Sequence, residues 1–186
     1  MPTQKIVGEH KQLMQKAYEF LYSEYKTVRT GRASTGLVEN LRVEYYGAPT
    51  PLKQLATLST PDANMIVIKP FDPSSIKEIE KAIKNSDLSI APMSDGKVIR
   101  LNVPPLSQER RKQLAGQVKQ LGEAAKVSIR NIRRDANKKL EDEEKAKTIT
   151  EDDRNHGKKE MDDLTKQYTD GIDNAIKSKT DEVMEG

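Results

Sequence analysis

The chain of 186 residues contains no cysteine and no tryptophan. Without cysteine there are no disulfides and no thiolate metal sites, which is compatible with a reducing compartment. Aromatic residues make up only 4% of the chain while charged residues reach 33%. That balance disfavours a thick layered core and favours long helices with solvated faces. No apolar run is long enough to span a bilayer. The opening "MPTQKIVGEHKQLMQKA" lacks both the hydrophobic block of a secretory signal and the Arg/Ser-rich character of a transit peptide. The expected location is therefore the cytoplasm, with no membrane partner.

Catalytic signatures are missing too. There is no Walker-type loop, no G-x-S-x-G elbow and no dinucleotide fingerprint. Two histidines, His10 and His156, stand in hydrophilic contexts and read as surface side chains rather than general bases. The acidic runs "EDEE" and "EDD" read as helix ends and caps rather than as a metal site. The chain is expected to be no enzyme, with no catalytic residues, no metal and no cofactor.

Periodicity describes what is present. Val7, Met14, Tyr18, Leu21, Tyr25 and Val28 form the apolar stripe of a first amphipathic helix, ending at "TGRASTG". The pattern then changes to short strands at "LRVEYY" (41–46) and "MIVIKP" (65–70), with "GAPTP" between them read as a turn. Asp72 and Pro73 open a short helix whose buried side is Ile76, Ile79 and Ile83. "LSIAPMSDGKVIRLNV" reads as two strands meeting at Asp95-Gly96. After Pro104 and Pro105, Ser107 caps a long helix with Leu114, Val118, Leu121, Ile129, Ala136 and Leu140 on one face. Thr150 and Asp153 make a capping box for a last helix carrying Met161, Leu164, Tyr168, Ile172 and Val183.

The first helix needs partners for its stripe, and the two late helices supply them. The fold class is α+β with two domains: an elongated three-helix bundle from 1–30 and 106–186, and an inserted small β/α/β domain, 31–105. The late helices, roughly 35 residues each at ~1.5 Å per residue, would make a rod on the order of 50 Å long. The crossings near 30–32 and 104–106 would act as a hinge.

Charge is distributed unevenly behind a net of only +3. Residues 106–140 hold ten Lys/Arg against three Asp/Glu, while residues 141–186 hold eight against fifteen. Lys119, Lys126, Arg130, Arg133 and Asn137 fall in line along the basic helix, each one residue after a core position. Two readings stand side by side. The cations pair with the acidic helix, or they await an anionic partner. An antiparallel turn near residue 148 sets Asp162 and Asp163 near Arg133 and Arg134 and puts Lys126 near Gly171. Ten of the fifteen acids lie within 141–163, so much of the ridge would outrun them. A stiff ridge of arginines without interleaved aromatics suits structured RNA better than single strands. A coiled-coil interaction protein is the rival reading.

Five stretches carry a resemblance: "VRTGRAS" (28–34), "VEYYGAPTPLKQLA" (43–56), "KAIKNSDL" (81–88), "VPPLSQERRKQL" (103–114) and "SIRNIRRDAN" (128–137). Together, in order and at the right spacing, they resemble the bacterial ribosome recycling factor family. The resemblance implies an L-shaped, tRNA-like monomer that binds the post-termination ribosome. There, with elongation factor G and its GTP hydrolysis, it splits the subunits and releases messenger RNA and tRNA. It implies large-subunit ribosomal RNA contacts at Arg130, Arg133, Arg29 and Arg110; the stripe itself extends the set to Lys126 and Asn137. Gly31, Arg32, Pro104 and Pro105 would fall at the hinge.

Overall fold

The computed structural model describes residues 2–185. Met1 and Gly186, the outermost positions of the ranges assigned to the bundle, lie outside the described residues. The chain divides into two compact units, one of residues 2–25 and 115–181, the other of residues 26–114 and 182–185.

The first unit is built from three long helices: most of α1 (Pro2–Thr27), most of α4 (Gln108–Lys145) and nearly all of α5 (Glu151–Glu185). Each contributes one buried stripe. Met14 and Leu21 from α1, Val118, Ile129 and Leu140 from α4, and Met161 and Ile172 from α5 are all at most 2% exposed. Each such side chain contributes roughly 1.5–3 kcal/mol of transfer free energy. Close approach is built in at Gly122, where an added Cβ would lie 2.3 Å from the Ile176 side chain. Tyr25 ties α1 to α4 by donating its hydroxyl to the Val118 carbonyl at 2.7 Å; burial pushes that phenol up to about 12.

Both caps predicted for the late long helices form. Ser107 Oγ accepts the Arg110 amide at 3.2 Å, opening α4. Thr150 Oγ1 accepts the Asp153 amide at 3.1 Å while Asp153 Oδ2 accepts the Thr150 amide at 3.1 Å, a reciprocal capping box for α5. The α4–α5 turn is centred where periodicity placed it, and ion pairs Glu141–Lys158 and Glu144–Arg154 flank it at 2.6 and 3.0 Å.

One reading fails in this unit. His10 is not a surface side chain; it is 1% exposed. Its Nδ1 lies 2.7 Å from the Ile6 carbonyl and its Nε2 lies 2.8 Å from Asp135 Oδ2. The surrounding polar letters of α1 concealed it, because a helix buries only the residues on its inner side and His10 lies between Ile6 and Met14 on that side.

The second unit holds two antiparallel sheets. The hairpin of β1 (Arg42–Tyr45) and β2 (Ala48–Pro51) is followed by a helical turn, α2 (Leu52–Leu55). A four-stranded sheet follows, in the order β3-β4-β6-β5, from β3 (Ala56–Asp62), β4 (Met65–Pro70), β5 (Pro92–Ser94) and β6 (Ile99–Asn102). Between β4 and β5 lies α3 (Ile76–Lys84), preceded by a 3₁₀ turn at Pro73–Ser75 that Asp72 caps through the Ser74 amide. Val43, Ile66, Ile68, Ile79, Ile99 and Leu101 are fully buried within its core.

Here "GAPTP" is corrected. It is not all turn; its last four residues form β2. The turn is only Tyr46-Gly47, both with positive φ, at 49° and 78°, and that twist matches the paired strands. Such a two-residue turn makes Tyr45 and Ala48 the closing hydrogen-bonded pair, and the bonding alternates from there. Pro49 and Pro51 stand opposite Glu44 and Arg42, the positions that exchange no ladder bonds. Their missing N–H groups would have faced outward, so the prolines cost the ladder nothing.

Candidate nucleic-acid interface

The cations predicted for the site sit on α4, whose buried stripe fixes their orientation. Ile129 and Ala136 are fully buried, so Arg130, one residue on, is turned out to solvent. Among the described residues Arg130 has no carboxylate within ion-pair distance, and neither do Arg134, Lys138 and Lys119. Arg130, Arg134 and Lys138 follow one another at four-residue spacing, which places them along one exposed line of the helix.

Arg133 is different. It is half-buried, and its Nη1 donates to Asp162 Oδ1 at 3.3 Å across to α5, while its buried Nε has no protein partner. The antiparallel register therefore placed Asp162 correctly against Arg133, but the companion expectation for Arg134 fails. One helical position carries Arg134 about 100° around the cylinder, away from α5 and into solvent.

Lys126 departs further from expectation. Its spacing puts it in a ridge expected to outrun the acids of the last helix, near Gly171. Its Nζ instead sits 2.7 Å from Asp173 Oδ1 and 2.9 Å from Glu123 Oε1, with the side chain 12% exposed. The hydrogen bond to Asp173 first, then that to Glu123, raises its pKa against the opposing effect of burial. A lysine so committed has little charge left to offer a phosphate. Asn137 is half-buried and its Oδ1 has no partner.

Two further predicted residues lie in the other unit. Arg110 is exposed near the start of α4, with Nη1 on Gln113 Oε1 at 3.1 Å. Arg29 is partly buried and donates from Nη2 to the Pro104 carbonyl at 3.2 Å; desolvation, then the neighbouring Arg110 charge, lower its pKa. Its Nε is buried without a partner. Gly31 is buried at φ 83°, a conformation costly for other residues, while Arg32, Pro104 and Pro105 are exposed.

Sequence reasoning passed over Lys138 and underrated Arg134. The signal was available: both continue the i, i+4 line from Arg130, and neither faces the acids of α5. Chemically, the line can do one thing well. It offers fixed positive charge and planar donors to a polyanion. Among the described residues no group of three or more His, Asp or Glu side chains could hold a metal ion.

The sequence model of the family described as "Ribosome recycling factor" matches residues 21–184. This chain belongs to the ribosome recycling factor family. The "Ribosome-recycling factor" of Geobacillus thermodenitrificans is 50% identical over 181 residues, covering 97% of this chain and 98% of the relative. That of Synechocystis sp. is 50% identical over 177 residues, covering 95% and 97%. A solution structure of ribosome recycling factor matches with a TM-score of 0.80 at 38% identity, covering 100% of this chain and 99% of that one. A second match, with a TM-score of 0.70 at 38% identity, covers 99% of this chain and 100% of that one. It comes from models of T. thermophilus ribosome recycling factor and E. coli elongation factor G bound to the E. coli post-termination complex. Ribosome recycling factors are translation factors and not themselves enzymes.

Proposed function

We propose that this protein binds the post-termination ribosome and, with elongation factor G and GTP hydrolysis by that factor, splits it into subunits so that messenger RNA and tRNA are released. The observation that carries the RNA contact is the unpaired, exposed line led by Arg130 on a stiff, capped helix. Ribosomal RNA phosphates are its natural complement. Arg133, Arg29 and Arg110 supply further guanidinium groups, each with donor capacity not fully used inside the protein. Lys126 and Asn137 act as supports: the first anchors α4 to α5, and the second presents a half-buried amide beside the ridge.

The mechanical part of the proposal assigns the bundle, 1–30 and 106–186, to the RNA and leaves the inserted domain, 31–105, to move. Gly31 and Arg32 on one crossing and Pro104 and Pro105 on the other form the hinge. The Arg29–Pro104 hydrogen bond holds those two crossings together. When the GTPase pushes, force passes through a rod that resists bending into the contacts holding the subunits.

Light scattering of post-termination complexes tests this. With elongation factor G and GTP, the protein lowers the scattered intensity as subunits separate. Without elongation factor G there is no separation and no GTP turnover. Full splitting by an Arg130→Ala, Arg134→Ala double variant at limiting concentration contradicts the RNA assignment.

A further inference from the structure

Half of the chain's six tyrosines meet on one face of the helical unit. Tyr18 and Tyr22 of α1 meet at a tilt with ring centroids 4.9 Å apart, and Tyr168 of α5 meets Tyr18 edge-on at 5.8 Å. Gly171 lies beside the Tyr18 ring, where an added Cβ would come within 3.2 Å of it. Tyr18 and Tyr168 are half-buried and seal the seam between the two helices. Their hydroxyl protons are spent inside the cluster. Tyr18 donates to the Tyr22 hydroxyl at 3.2 Å, and Tyr168 donates to Gln15 Oε1 at 2.8 Å. The bond to Tyr22, then burial, pushes the Tyr18 phenol up to about 12. Tyr22 is less enclosed; it is 45% exposed. Two acids border the cluster. Gln15 Nε2 donates to Glu19 Oε1 at 2.7 Å and so steers that carboxylate, and desolvation, then the Glu19 charge, raises the Tyr168 phenol. Asp170 directly precedes Gly171 and is exposed. Among the described residues neither acid has a cation within ion-pair distance. Lys16 lines a different groove, with Leu121 and Ala124 of α4, and Lys26 lies a full turn past Tyr22.

We propose that this face docks a cationic segment of another protein, with an arginine stacked on the Tyr22 ring and Glu19 and Asp170 supplying the counter-charge. The chemistry selects this occupant. A guanidinium plane stacks on a tyrosine face and is drawn to it by the ring quadrupole. Tyrosines of this kind are favoured anchors where proteins meet. A nucleic-acid base could stack on the same ring, but its phosphates would meet two unpaired carboxylates and be repelled. The α1–α5 face thus turns away the polyanion that the Arg130 line on α4 attracts, and the helical unit presents two faces of opposite preference.

The test uses the full-length, nitrogen-15-labelled protein and a capped peptide of sequence Gly-Ser-Arg-Gly-Arg-Ser-Gly. The amides of Glu19, Tyr22 and Gly171 are expected to shift in the NMR spectrum. The same peptide with citrulline in place of both arginines keeps the shape, loses the charge and should leave them unmoved. Tyr22→Leu keeps an apolar side chain but removes the ring. It should weaken binding about two- to fivefold, the size of an exposed cation–π contact, with an unchanged thermal midpoint. If Tyr22→Leu lowers the midpoint, the double variant Glu19→Gln, Asp170→Asn decides instead, and it should also bind the arginine peptide more weakly. No shift at millimolar peptide, shifts confined to other acids such as Glu151 and Asp152, equal binding of the citrulline peptide, or parental affinity in the deciding variant would overturn the proposal. Larger shifts at Tyr22 with oligouridylate than with the arginine peptide would assign the ring to a nucleic-acid base and overturn it equally.

Discussion

His10 and Asp135 join α1 to α4 through a 2.8 Å contact between Nε2 and Oδ2, with the imidazole 1% exposed and the carboxylate 55% exposed. The ring is a donor to both sides when protonated, reaching the Ile6 carbonyl through Nδ1 and Asp135 through Nε2. Asp135 also accepts Lys139 at 3.2 Å, and these hydrogen bonds, that of His10 first, hold its carboxyl below the usual range. His10→Ala removes a buried ring and its bonds, and should destabilise the bundle by about 1–3 kcal/mol in denaturant titration. An unchanged midpoint would mean that the ring contributes no net packing.

Gly122→Ala sets two effects against each other. Alanine gains up to ~1 kcal/mol of helix propensity over glycine. The new Cβ would lie 2.3 Å from the Ile176 side chain and 2.9 Å from the Tyr25 hydroxyl. Overpacking of that kind costs about 1–3 kcal/mol, so the net expectation is destabilisation. A rise in thermal midpoint would show that Ile176 re-seats freely.

Thr150→Ala removes the hydroxyl that accepts the Asp153 amide and bonds Asp153 Oδ2 at 2.8 Å. Loss of a cap of this type costs roughly 1 kcal/mol. Hydrogen exchange should reveal the loss first in the opening turn of α5. Equal exchange rates in the variant and the parent protein would argue that the box is ornamental.

Asp95 provides the pH prediction. Its carboxyl is brought down to about 2 by the Val98 amide first, then the Lys97 amide and the Arg100 guanidinium. A carboxyl depressed on folding contributes stability that is present above its ordinary range and lost as pH falls through its folded value. The β5–β6 turn should therefore keep its Lys97 and Val98 amide shifts unchanged from neutral pH to near 3 and change them near 2. A midpoint close to 4 would contradict the hydrogen-bonded turn.

The helices and caps were legible because long elements repeat their signals. Stripe, N-cap and turn each point to the same boundary, and Thr150, Asp153 and Ser107 all behave as their letters suggest. The small sheets were harder. β3, "ATLSTPD", is mostly exposed and contains Pro61, so it carries neither alternation nor a continuous apolar run. Its strand state comes from pairing with β4, a long-range fact that no local window holds. β2 was hidden by prolines that only the hairpin register makes harmless.

The ridge was legible as a line of charge, but not as a set of free charges. Whether a cation is neutralised depends on a few tens of degrees around α4. Spacing alone treats Lys126 and Arg130 alike, yet Asp173 captures the first and, among the described residues, no carboxylate pairs with the second. His10 was misread for the same reason, since polar neighbours in sequence are not neighbours in space.

The most direct test is sedimentation of Arg130→Ala and Lys126→Ala with vacant ribosomes at two salt concentrations. Arg130→Ala should lose about tenfold or more in affinity, as for a charged hydrogen bond, and should show a shallower salt dependence with an unchanged thermal midpoint. Lys126→Ala should bind nearly as the parent does and lose stability instead. Normal binding by Arg130→Ala with weakened binding by a well-folded Lys126→Ala would contradict the assignment of the RNA contact to the unpaired line.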